Sequence, residues 1–201
     1  MMRSGVLIAE ILLVLCLIAF TGHAQDIQFE EWVRFAESRE AGALKEWVRC
    51  VAGDLLGEQR CGRPLPVRAP SFFGRFGIFI TIVKGRAVRG CYGAFDHRSD
   101  DLETVLQEYI VGALRNDMRH NPLDVGEFED ARVIITIADR GFPVDDLQLL
   151  DLSRFGVTLV SAGGGSVIYV PAEIRSASYL DSVVKTLRPV QVNAFRAVTI
   201  D

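Results

Sequence analysis

The sequence predicts an α+β domain in which a mixed or antiparallel sheet, built from hairpins, packs against several helices. Three observations carry that prediction. Leu102, Val105, Leu106, Tyr109, Ile110, Ala113 and Leu114 keep a helical register without a miss. Two apolar runs, 78–83 and 87–92, flank Lys84-Gly85-Arg86 and read as a β-hairpin. A second pair, 156–160 and 167–170, flanks Gly163-Gly164-Gly165 and reads the same way.

Taken in order, the chain opens with Arg3, an apolar run over residues 11–20 and the small-x-small site Gly22-His23-Ala24, the three parts of a secretory signal. Counted back to Val6 the apolar stretch reaches only about 15 residues and contains Glu10, whereas a comfortable span needs about 20. The expectation is a signal peptide over residues 1–24, cleaved after Ala24, and one domain over residues 25–201 in a periplasmic or secreted space. A short membrane tether is the alternative. No stable membrane insertion is expected after cleavage.

Phe29, Trp32, Val33 and Phe35 recur at helical spacing, and Leu44, Trp47, Val48, Val51 and Leu55 continue the pattern after an expected break at Ala41-Gly42. Pro64, Pro66 and Pro70 enforce an extended connector. The run 78–83 is apolar almost throughout, which suits a central strand. Asp100 with Glu103 resembles a capping box for the helix that follows. Residues 131–138 form the next strand, 179–187 a last helix and 190–200 a closing strand.

Removing residues 1–24 takes away one Arg and one Glu and leaves the net charge at −4, which argues against a nucleic-acid partner. An exported chain can keep a disulfide. Cys50 lies near the end of a helix and Cys61 follows in a polar turn, so a Cys50–Cys61 bridge closes a short loop; two buried thiols are the alternative. No Cys-x-x-Cys or paired-His spacing points to a metal, and no cofactor is expected.

The segment Gly77-Ile78-Phe79-Ile80-Thr81-Ile82, then Lys84, then Arg89-Gly90-Cys91-Tyr92-Gly93, closely resembles the signature of the AMMECR domain family, whose members carry a strand ending in Arg-Gly-Cys-Ile-Gly. Asp117-x-Arg119-x-x-Pro122-Leu123 resembles that family's Asp-Pro-Arg-Phe-x-Pro-Leu segment, and residues 164–171 resemble its Gly-x-x-Gly-x-x-Leu-Pro hairpin. The resemblance covers about residues 41–201. Departures include Tyr92, Met118, Val170-Pro171-Ala172-Glu173 and Lys185-Thr186-Leu187-Arg188, so the chain reads as a diverged member. The resemblance implies fold more strongly than chemistry. It also implies cytosolic work beside Memo-like and radical S-adenosylmethionine proteins, from which an exported chain is separated.

The residues themselves offer one site. Cys91 stands at a strand end between Gly90 and Gly93, where backbone can approach a ligand closely. Arg89, two residues earlier, is expected on the same face, where its charge would favour the thiolate. Asp117 and Arg119 complete the candidate set, bracing the helix end or binding an anionic group. His97 is expected in a surface loop and His120 beside Asp117 and Arg119. Two readings stay open for Cys91: a catalytic or ligand-contacting thiol, or a small buried residue with Arg89 paired to an acid such as Asp117. The function expected first is a binding module whose pocket around Arg89, Cys91 and Arg119 takes a small anionic ligand or an exported protein. A thiol-dependent enzyme or redox protein is the alternative.

Overall fold

The structure, a computed structural model, describes residues 26–201, so the expected signal segment lies outside it. The domain is α+β. Its elements are α1 (26–36), α2 (Arg39–Leu55), β1 (Gly77–Lys84), β2 (Ala87–Ala94), α3 (Leu102–Arg115), β3 (Ala131–Ala138), β4 (Phe142–Pro143), β5 (Phe155–Val160), β6 (Ser166–Tyr169), α4 (Ala177–Leu187) and β7 (Gln191–Ile200). One antiparallel sheet runs in the order β2-β1-β3-β7-β5-β6, with β4 also on β7. The ten-residue β7 holds it together, pairing β3 through its last residues and β5 through its first, and the sheet curls around it.

β1 is buried along nearly its whole length because both of its faces are covered. Ile78, Ile80 and Ile82 point into the main core with Trp32, Trp47 and Leu106 from the helices. Phe79 points the other way, into a smaller cluster with Cys91, Ala138, Val170 and Phe195 on the inside of the curl. Each fully buried isoleucine contributes about 1.5–3 kcal/mol of transfer free energy.

Local chemistry moves two expected boundaries. The break between the first helices falls at Glu37–Ser38, not Ala41-Gly42, because Ser38 caps α2 by accepting the Ala41 N–H at 3.3 Å. The cap of α3 is Asp101, not Asp100: its carboxylate accepts the Thr104 N–H at 2.9 Å. Glu103, freed from capping, accepts the Leu65 N–H at 2.9 Å and so holds the proline-rich connector. The same connector accepts the Nε1–H of both buried tryptophans, Trp32 at Ser71 O and Trp47 at Arg63 O. Cys50 and Cys61 form a disulfide that ties it to the end of α2, with Cα atoms 5.5 Å apart.

α3 presses on β2 at Gly90. A Cβ there would collide with the Ala113 carbonyl oxygen, so only glycine permits this approach. Just before it the β1–β2 register slips between Ile82 and Val83, which leaves Arg89 as the extra residue of a β-bulge.

Gly90→Ala is expected to force helix and strand apart at a cost of about 2–3 kcal/mol, lowering Tm by roughly 5–10 °C; an unchanged thermal unfolding curve would mean that the approach has slack. Replacing Cys50 and Cys61 together by serine is expected to remove about 2–3 kcal/mol, read as a lower denaturant midpoint, and a wild-type midpoint would deny the bridge a stabilising role.

Candidate functional site

The candidate site forms where the two outer strands of the curled sheet, β2 and β6, come to face each other across a cavity of about 290 Å³. Cys91, Tyr92 and Gly93 line one wall, Ser166, Val167 and Ile168 the other, and Phe79 the floor. Asn116, Asp117 and Arg119, from the turn that ends α3, close one end.

That end is built around one guanidinium. Asp117 Oδ2 accepts the Cys91 N–H at 2.8 Å, while Asp117 Oδ1 accepts the Arg119 backbone N–H at 3.1 Å and its Nε–H at 2.9 Å. Arg119 Nη2 donates to the Cys91 carbonyl at 3.3 Å and to Asp117 Oδ2 at 3.0 Å, and lies 3.1 Å from Glu173 Oε1. Arg119 Nη1 donates to the Ile168 carbonyl at 3.2 Å. Glu173 arrives on the short helical turn Pro171–Glu173 and accepts the Val170 N–H at 3.3 Å. Both carboxylates are almost fully buried, at 4% and 2% side-chain exposure, while the guanidinium is 36% exposed to the cavity.

The protonation states follow from these partners. Burial pushes the Asp117 carboxyl up, but hydrogen bonds from Arg119 and the Cys91 N–H outweigh it and hold the group below its ordinary value. Burial likewise opposes the charge on Arg119, and the Asp117 and Glu173 carboxylates reverse that, so the guanidinium is held charged more firmly than usual. Cys91 is different. Burial first, and then the charge of Glu173, push its thiol well above the ordinary range, against a Thr81 hydroxyl that donates to Sγ at 3.2 Å.

Of the residues singled out in the sequence, the structure brings Cys91, Gly93, Asp117 and Arg119 together, and it does not bring Arg89 with them. The bulge breaks the two-residue alternation of the strand, so Arg89 turns away from Cys91 and pairs with Glu127 and the Pro122 carbonyl rather than with Asp117. Gly90 lies under α3, outside the cavity lining. His97 is no loop ornament and no partner of Cys91. Its Nε2 donates to the Phe76 carbonyl at 2.7 Å and its Nδ1 accepts from the Tyr109 hydroxyl at 2.8 Å, a bridge between the residue before β1 and α3.

Glu173 and the β6 wall were not among the expected site residues. They come from more than forty residues downstream, and the one signal was the acidic residue after Pro171, which stood out only as a departure from a family pattern. The same convergence makes a group that spacing along the chain did not reveal. The ligand atoms of Asp117, His120 and Glu173 all lie within 4.8 Å of one another, with His120 Nε2 3.4 Å from Glu173 Oε1. Such a set can hold a cation, but both carboxylates are already engaged by Arg119, so an ion would have to compete with the guanidinium.

Comparison with known proteins matches the fold and the family. Residues 44–194 match the family model described as AMMECR1. A Thermotoga maritima protein is 30% identical over 90 residues, 44% of this chain and 52% of the relative, and a Methanococcoides burtonii protein is 25% identical over 134 residues, 64% of this chain and 60% of the relative. These alignments therefore span between half and two thirds of the relatives' own length. A crystal structure of an uncharacterized protein, PH0010 from Pyrococcus horikoshii, superposes with a TM-score of 0.56 at 13% identity over 78% of this chain and 87% of that one, a likeness of fold. With three quarters of its length inside the family model, this chain belongs to the AMMECR1 family.

Proposed function

We propose that this domain is an exported binding module whose ligand seats in the cleft between β2 and β6. The observation that carries the reading is the cleft itself: two strand edges held apart by a single bridging guanidinium, with an aromatic floor and polar main chain on both walls. A concave, largely preformed cavity with few, fixed polar groups is the usual form of a small binding site.

The charge of Arg119 is already met by Asp117 and Glu173. An anion entering the cleft finds no free counter-charge there, which favours a polar, uncharged ligand or a segment of another exported protein over the small anion that the arginines suggest. Export is supported by the leader pattern of residues 1–24 and by the Cys50–Cys61 disulfide. Among the described residues no helix is long and apolar enough to cross a membrane.

A thiol-dependent reaction has less behind it. Cys91 is buried, and burial and the charge of Glu173 both oppose ionisation of its thiol. His97 is committed to Tyr109 and Phe76.

Cys91 in the folded protein is expected to resist iodoacetamide at pH 8 and to react at least about a hundredfold faster in denaturant, as for a buried structural thiol; fast native alkylation with a midpoint below that of a free thiol would transfer the reading to the thiol enzyme. A screen of small uncharged amides at millimolar concentration, followed by amide NMR, is expected to shift Gly93, Val167 and Ile168, and Ser166→Trp is expected to abolish those shifts while leaving thermal unfolding unchanged. Fragments that leave these amides untouched would remove the small-molecule form of the reading.

A further inference from the structure

The cleft binding proposed above has a more specific form in the main chain of its two walls. β2 and β6 are the end strands of the sheet, and each turns an outer edge toward the cavity. Cys91 donates its N–H to Asp117 and its carbonyl accepts from Arg119, so its peptide groups point away from β1. Gly93 follows two residues on in the same unbroken register and also lines the cavity. In β6 the carbonyl of Ile168 goes to Arg119, so Ser166 shares its orientation. Among the described residues, no backbone hydrogen bond outside the strand ladders engages the peptide groups of Gly93 or Ser166.

The gap has a defined width. One planar guanidinium, with donors on opposite sides, reaches the Cys91 carbonyl at 3.3 Å and the Ile168 carbonyl at 3.2 Å. At that level it occupies the place of a peptide group in a missing strand, which puts the edges roughly two strand spacings, about 9–10 Å, apart. The slot also matches a peptide in charge. Phe79, Tyr92, Gly93, Ser166, Val167 and Ile168 carry none, and the only ionised groups lining it, Asp117 and Arg119, are closed on each other. Away from Arg119, β2 runs from Cys91 to Gly93 and β6 from Ile168 to Ser166, so the two edges are antiparallel to each other.

The geometry points to strand addition: the cleft takes an extended, uncharged polypeptide segment of another protein, inserted between β2 and β6 for about two or three residues and hydrogen-bonded through its main chain to both edges. The segment runs antiparallel to one wall and parallel to the other. An apolar side chain on its inner face rests on Phe79. Recognition falls on the backbone first and on sequence second.

This inference rests on the cleft being a binding site, and its test separates the two. The probe is the blocked peptide Ac-Thr-Val-Thr-Val-Thr-NH2, compared with the same peptide N-methylated at the central threonine, which keeps the side chains and removes one main-chain donor. Titration into the full domain, followed by amide NMR and hydrogen exchange, is expected to shift and protect the Gly93 and Ser166 amides, with the N-methylated peptide binding at least about tenfold more weakly. Equal binding of the two peptides would overturn strand addition, as would shifts that follow protein concentration, which would make a second copy of the chain the occupant. If uncharged amide fragments occupy the cleft and the peptide does not, strand addition falls and cleft binding stands; if neither perturbs Gly93, both fall.

Discussion

The two ends of the sheet meet through the Arg119 guanidinium, and the geometry of the cleft depends on that side chain lying between Asp117 and Glu173. Two segments far apart in sequence supply its partners: β2 through Cys91, and β6 with the turn that follows it through Ile168 and Glu173. Two nearly buried carboxylates would repel each other and each would be costly to desolvate. The delocalised guanidinium, with five donors in a fixed plane, satisfies both at once and spends its remaining donors on the strand carbonyls. His120, within reach of both acids, offers further compensation when protonated.

The same cluster accounts for the character of Cys91. A cysteine next to an arginine in sequence suggests a thiolate, but sequence adjacency is not proximity. The bulge at Arg89 removes the expected cation, and the cation that does come near, Arg119, arrives with two carboxylates around it. Beside the sulfur stand an apolar cluster with Phe79 and Phe195, Glu173 and the Thr81 hydroxyl, and there burial and Glu173 outweigh the hydroxyl and keep the thiol protonated.

Much of the architecture was legible because it rests on local signals. The register of α3, the apolar continuity of β1 and the glycine-turned β5–β6 hairpin are each written within a short local stretch, and the Cys50–Cys61 bridge closes a short loop too. The site was half legible. Cys91, Gly93, Asp117 and Arg119 carry a recognisable spacing, but β6 and Glu173 are joined to them only by the curl of the sheet, which no short-range pattern encodes. Arg89 failed for a related reason: alternation predicts its face only where the register is regular, and one inserted residue overturns it. Asp100 and Asp101 differ as caps by which carboxylate reaches the Thr104 N–H, a choice set by backbone angles at the helix start.

The curl has a colloidal consequence as well. An open sheet of this size ordinarily presents two free borders to its neighbours in solution, and such borders recruit other chains into aggregates unless they are blunted by charge, proline or a cover. Here the two borders confront each other across a narrow cleft, one end of it plugged by a side chain. An intruding sheet is too thick to enter. The geometry thereby acts as a size filter, shielding sticky main chain from bulk protein while leaving it open to a lone, thin segment.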